Sequence, residues 1–258
     1  MIESLPGAFG KIGRLSRFCA VLLGARAEFR RTAANGPVPI EARVRLLQAW
    51  CRQSLDALGV QVEVEGSPPT QGLLLSNHLS YLDILAYSSA VPCSFVSKAE
   101  VGRWPFIGRL AEYGGTIFVQ RETRSAARVW NEKVADFLQK GVPVALLPEG
   151  TTTDGSHVLR FHSSMIQPAI DAKVPIIPCA VAYQIAKTVG QALENGEKQA
   201  AWWGEMTLFP HAWKLLGNAE IRARVAFGTP LEATGSRKAL SDAARERVIE
   251  LRASLVHT

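Results

Sequence analysis

Apolar and polar positions alternate between two periods along this chain, and the changes of period mark its elements. Leucines and aromatics recur at helical spacing in two stretches before residue 60 and predict two helices joined around Asn35-Gly36-Pro37, a strong breaker. Gln61 to Glu65 alternates like a short strand. Four short apolar runs then follow: Gly72 to Ser76, Ser94 to Ser97, Thr116 to Val119 and Val142 to Leu147. Each is short enough for a buried strand and too short for a core helix. Helical patterns separate them, over Ser80 to about Ala90, Val101 to Tyr113 and Ser125 to Lys140. Short links between alternating strands and helices predict an α/β fold with parallel pairs.

Downstream, Ser163 to Lys173 reads as a helix and Val174 to Val181 as a buried strand. Residues 187 to 201 are ambiguous. Trp202, Trp203, Met206, Leu208, Phe209 and Trp213 crowd together and are expected to be core rather than a lipid-facing patch. Ile221 to Phe227 forms a last strand and Ser236 to His257 a closing helix. The predicted organisation is a helical arm over residues 1–60 and one α/β domain over 61–258.

One conspicuous polar residue follows each of the four short strands: His78, Lys98, Arg121 and Glu149. Parallel strands would bring all four to one edge of one sheet, where ligands of open α/β sheets bind. Two cations beside a histidine and a carboxylate suit a phosphate held next to a base.

Geometry constrains His78 and Asp83 further. Inside a single helix, a separation of five residues turns them roughly 140° apart, so they could not meet. With the helix starting near Ser80, His78 lies in the preceding loop and can fold back onto Asp83 in the first turn. The carboxylate could then fix the imidazole tautomer and leave the other nitrogen as a general base. A plainer alternative treats Ser80 and Asp83 as a capping box, with Leu79 and Ile84 as its hydrophobic staple.

Charge adds a partner. The net charge is +6, and residues 1–60 hold nine Lys/Arg against four acids, 9 − 4 = +5. Ile12, Leu15, Phe18, Cys19 and Leu22 form an apolar stripe beside Lys11, Arg14 and Arg17. Leu46, Leu47, Trp50 and Leu55 do the same beside Arg43, Arg45 and Arg52. Basic helices with such stripes suit an anionic membrane surface better than nucleic acid, or they pack on the protein body. No run approaches the ~18 apolar residues needed to cross a bilayer. Phe18 to Ala25 resembles a weak signal peptide, but Arg26 falls inside the cleavage site it would need. The four cysteines, Cys19, Cys51, Cys93 and Cys179, form no Cys-x-x-Cys pair, so reduced thiols without a structural metal are expected.

Asn77-His78-Leu79-Ser80-Tyr81-Leu82-Asp83 resembles the NHx4D block of glycerolipid acyltransferases. Gly115 to Arg121, Pro148-Glu149-Gly150-Thr151 and Val174 to Pro178 are similar to the family's other blocks, in the same order. The resemblance implies a mostly parallel sheet flanked by helices, with a two-helix arm on the cytosolic face of a membrane. It implies transfer of an acyl group from acyl-CoA or acyl carrier protein to the hydroxyl of a lysolipid acceptor, without metal, cofactor or covalent enzyme intermediate. His78 would be the base and Asp83 its orienting partner. Lys98 and Arg121 would hold an acceptor phosphate, Glu149, Gly150 and Thr151 would line the acceptor pocket, and Asn77 would shape the turn. Two positions depart from the family pattern. Gln120 stands where many members have Asp, and Phe161-His162 replaces a phenylalanine–lysine pair. Both lie on the acceptor side, and related enzymes acylate lyso-ornithine lipid, which lacks the phosphate. A serine hydrolase would need a Gly-x-Ser-x-Gly elbow, which is absent from the sequence. A membrane-binding protein without activity would have no use for His78, Asp83, Arg121 and Glu149 together.

Overall fold

The computed structural model describes residues 7–104, 107–119 and 124–257. Helices α1 (Ala8–Ala33) and α2 (Ile40–Leu58) come first, and Gly59, in the left-handed region at φ 74°, turns the chain from α2 into β1 (Val60–Glu65). Then come β2 (Leu73–Ser76), α3 (Leu82–Ala90), β3 (Ser94–Lys98), α4 (Ile107–Tyr113), β4 (Ile117–Val119), α5 (Arg124–Gln139) and β5 (Val144–Leu146). The remainder is α6 (Gln167–Ala172), β6 (Ile176–Ala186), β7 (Glu194–Asn195), α7 (Glu197–Ala200), α8 (Leu208–Leu215), β8 (Glu220–Phe227) and α9 (Arg237–His257).

Among the described residues the strands form one sheet in the order β1-β8-β6-β2-β5-β3-β4, with β7 antiparallel on β6. The run from β6 through β4 is parallel throughout, and β8 is antiparallel to β6 and parallel to β1. The expected α/β, mostly parallel sheet flanked by helices is therefore what forms. Both faces are covered, which explains the uninterrupted apolar run of β2. Leu74 belongs to the core under α2 and α3, while Leu73 and Leu75 belong to the core on the opposite face with Trp130, Val134, Ile166 and Val248.

Strand β6 divides its residues by size. Cys179, Val181, Tyr183 and Ile185 enter the α3-side core, while Ala180 and Ala182 join Ala226 and Leu255 on the other face. The small side chains let α9 lie close against the sheet.

Several expectations change. The single helix over Val101 to Tyr113 is a 3-10 turn (Val101–Arg103) followed by α4. Trp104, the residue before Pro105, is extended at ψ 133°, as the proline ring demands of its predecessor. Ser163 to Lys173 likewise splits into a 3-10 turn and α6, closed by Lys173 in the left-handed region at φ 55°. β6 runs five residues beyond Val181. The apolar stripe of α2 is used inside the protein: Leu47, Trp50 and Leu55 are buried, and Trp50 Nε1 donates to Glu28 of α1 at 2.8 Å. Arg14 is also buried, donating to the carbonyls of Leu216, Asn218 and Ala219 where α8 ends. The aromatic crowd is not core, since Trp203, Met206 and Phe209 are all exposed.

Candidate active site

His78 sits two residues beyond the end of β2, and the change of direction there has a specific cause. β2 and β6 run in parallel register up to Ser76 opposite Cys179. The Asn77 side chain then continues the ladder in place of backbone. Its Nδ2 donates to the Val181 carbonyl and its Oδ1 accepts the Val181 N–H, both at 2.9 Å. The main chain is thus free to leave the sheet without orphaning the β6 groups.

The loop closes onto α3. Asp83, in the first turn of that helix, is fully buried and receives four hydrogen bonds. Oδ2 accepts from the Leu79 N–H at 2.7 Å, the Ser80 N–H at 3.0 Å and His78 Nδ1 at 2.7 Å. Oδ1 accepts from the Tyr183 hydroxyl at 2.6 Å. One carboxylate both caps the helix start and partners the imidazole, while the expected capping box is only half formed because Ser80 Oγ makes no return bond. Because this carboxylate acts as acceptor throughout, the Nδ1 position of His78 carries the proton, and Nε2 is left with its lone pair. The His78 side chain keeps 19% of its surface accessible.

Glu149 follows β5, the strand on the other side of β2 from β6, and both its oxygens are occupied. Oε1 accepts the His78 N–H at 2.7 Å and Oε2 the Leu159 N–H at 2.8 Å. The His78 carbonyl in turn accepts the Thr153 N–H at 3.0 Å. The backbone of His78 is therefore pinned to the loop after β5 by both its N–H and its C=O. Burial pushes the Glu149 carboxyl up to about 7, against the two N–H groups that pull it down. That loop is itself braced by α9, whose Arg245 donates to the Leu159 and Val158 carbonyls at 2.8 and 2.6 Å and whose Arg252 donates to Gly155.

The other expected residues distribute as follows. Lys98 is the exposed last residue of β3, two strands from β2 on the same carboxyl edge. Gly150 turns the chain after Glu149 at φ 75°, and Thr151 is exposed beside it. Arg121, with Gln120, lies outside the described residues. Asn77 and Glu149 hold backbone with the groups that were expected to meet substrate or shape a turn. Tyr183 was missed. Its only signal was a large polar-tipped residue in the alternation of a long buried strand. A cavity of about 550 Å³ is lined by Arg52, Asp56, Gln61 and Ser89 and does not include His78. Hydrogen-bond chemistry and not volume locates this site.

Comparison with known proteins meets this geometry from the other side. A family model described as "Acyltransferase" matches residues 60–182, which contain His78, Asp83 and Glu149. The chain is 33% identical over 196 residues to the lyso-ornithine lipid O-acyltransferase of Pseudomonas aeruginosa, covering 75% of this chain and 72% of that one. It is 31% identical over 255 residues to the 1-acyl-sn-glycerol-3-phosphate acyltransferase of Neisseria meningitidis serogroup B, covering 96% and 95%.

The chain belongs to the acyltransferase family.

Among solved structures, the acyltransferase is similar in fold to PlsC of Thermotoga maritima, with TM-score 0.59 and 20% identity over 92% of this chain and 97% of that one.

Two outcomes follow from the geometry. Removing the Tyr183 hydroxyl leaves one buried carboxylate oxygen without its donor, a loss of about 1–3 kcal/mol. Tyr183→Phe is expected to lower the urea unfolding free energy by about that amount and kcat roughly tenfold, with KM within about twofold, in steady-state acyl-transfer assays. Glu149 has an ordinary value of 4.5 and about 7 in the fold, so between these the folded state holds the extra proton. Its contribution to stability therefore falls by about 3 kcal/mol as pH rises from 4.5 to 7 and is constant outside that window. Urea unfolding of the native protein and Glu149→Gln at pH 5 and pH 8 is expected to show the difference between them moving against the native protein at the higher pH. A pH-independent difference would contradict the raised value.

Proposed function

We propose that the protein transfers a fatty acyl group from acyl-CoA or acyl carrier protein to the free hydroxyl of a lysophospholipid, 1-acyl-sn-glycerol-3-phosphate, giving phosphatidate. The observation that carries this reading is the Asp83 carboxylate with four donors, one of them His78 Nδ1, which leaves Nε2 as the acceptor for a hydroxyl proton. In the step, Nε2 takes that proton as the hydroxyl oxygen attacks the thioester carbonyl carbon. The carbon–sulfur bond then breaks, and the leaving thiolate takes the proton back from the imidazolium. Asp83 holds the ring and offsets its transient positive charge. Lys98 and Arg121 receive the acceptor phosphate, and Gly150 and Thr151 flank it. Asn77 and Glu149 keep the base in place. The similarity to the Neisseria enzyme over nearly the whole chain supports the phosphate-bearing acceptor.

The membrane supplies the acceptor. No helix among the described residues is long and apolar enough to cross a bilayer. Exposed Phe9, Ile12 and Leu23 on α1, beside Lys11, Arg17 and Arg26, suit peripheral binding of the arm to anionic lipid at the cytoplasmic face of the cell membrane.

A second reading, lyso-ornithine lipid as acceptor, is favoured by the name of the Pseudomonas relative and by Gln120 and Phe161-His162 on the acceptor side. Offering the purified protein both lysolipids, each with both acyl donors, separates the two. Lysophosphatidate is expected to be acylated, Lys98→Ala to raise its KM about tenfold with kcat near native, and His78→Ala to lower kcat by about 10²–10⁴. Turnover with lyso-ornithine lipid alone would favour the second acceptor. Near-native turnover by a folded His78→Ala protein would remove the base.

A further inference from the structure

The exposed aromatics after β6 lie beside a cationic hollow. Trp203 is 44% exposed, Met206 39% and Phe209 67%, and Phe209 stacks on Trp213 with ring centroids 6.3 Å apart. Large apolar side chains in such a cluster are costly in water and mark a contact surface. The Lys11 ammonium from α1 sits over the Trp213 ring at 5.4 Å, so the start of the arm and α8 share this face. Between them is a cavity of about 290 Å³ lined by Lys11, Lys187, Lys214, Gln199 and Asn218. Val189, 70% exposed, follows two residues after Lys187, and Ile12 follows Lys11. Exposed Glu205 lies between Trp203 and Met206 in the chain, and Glu194 is linked to the Lys187 backbone through Gln191. Three ammonium groups around one hollow, joined to exposed Phe209 through Trp213 and Lys11, match the headgroup and glycerol layers of an anionic bilayer in both charge and polarity.

We propose that Trp203, Met206 and Phe209, with Lys187 and Lys214, extend the membrane contact of α1 across the face it shares with α8 through Lys11, and that the partner is a bilayer carrying anionic headgroups. The aromatics and Met206 enter the interface, and the lysines collect headgroups in the hollow.

This face is tied to the catalytic loop. The Trp202 N–H donates to the Leu79 carbonyl at 2.8 Å, and the Tyr81 hydroxyl pairs with His211 Nδ1 at 3.2 Å. Tyr81 also packs edge-on against both Trp202 and His211. Lipid bound here lies next to the loop that carries His78, so the surface delivers an acceptor from the membrane plane. That consequence rests on the lipid acceptor proposed above, whereas vesicle binding itself requires no turnover.

The test is co-sedimentation of the full chain with vesicles of phosphatidylcholine alone and of phosphatidylcholine with phosphatidylglycerol. The Trp203→Ser/Met206→Ser/Phe209→Ser protein, checked for a native unfolding midpoint, is expected to bind both kinds about tenfold more weakly or worse. Lys187→Ala/Lys214→Ala is expected to lose about twenty-five-fold in affinity for the anionic vesicles only, at roughly fivefold per lysine near a charged surface. With acceptor dispersed in detergent, the triple variant is expected to turn over at the native rate. Native vesicle binding by the triple variant would overturn the proposal. Failure of the native protein to acylate any lysolipid, with these binding losses intact, would count against the reaction and not against the surface.

Discussion

A buried carboxylate is expensive unless donors surround it, and Asp83 has four. Two are backbone N–H groups that start α3, one is the ring of His78, and one is a hydroxyl from β6. Helix initiation, loop conformation and imidazole tautomer therefore cannot be varied independently. A change that frees any one donor leaves charge unpaired in the core and disturbs the other three. The same carboxylate that makes the loop stable makes the ring available, which is why the site needs little beyond the end of one strand and the beginning of one helix.

The sheet supplies the rest. Strand order puts β2 between β6 and β5, and each neighbour contributes one support to the loop after β2. From β6 come the Val181 backbone groups that Asn77 engages and the Tyr183 hydroxyl. From the turn after β5 comes Glu149, which spends both oxygens on N–H groups, one of them that of His78. The imidazole is thus framed from two sides by strands far away in sequence, and α9 secures the outer loop through Arg245 and Arg252. Such supports hold an imidazole to within a fraction of an ångström, the precision that the proposed proton transfer requires.

What could be seen in the sequence was whatever depended on periodicity and on the short range. The runs at Gly72 to Ser76 and Val142 to Leu147 announced strands, and the spacing of His78 and Asp83 permitted contact only across a helix start. Tyr183 and the backbone hydrogen bonds of Asn77 and Glu149 were hidden because they are set by pairing between strands, across separations of 71 to 104 residues, which no local pattern encodes. The aromatic cluster after β6 was misjudged for a related reason. Composition alone does not distinguish a core from a surface, and Trp203, Met206 and Phe209 face outward while the half-buried Trp202 packs on the loop that carries His78. The stripe on α2 went the opposite way, being used to attach the arm to the α/β body.

The central claim is that Asp83 sets the ring of His78 in the tautomer with Nδ1 protonated and Nε2 free. Nitrogen-15 NMR of the imidazole, assigned by comparison with His78→Gln, measures this directly. The account predicts, for the neutral ring, a protonated Nδ1 in a hydrogen bond and an Nε2 with the chemical shift of a bare ring nitrogen. A neutral ring protonated at Nε2, or one exchanging freely between both tautomers, would contradict it.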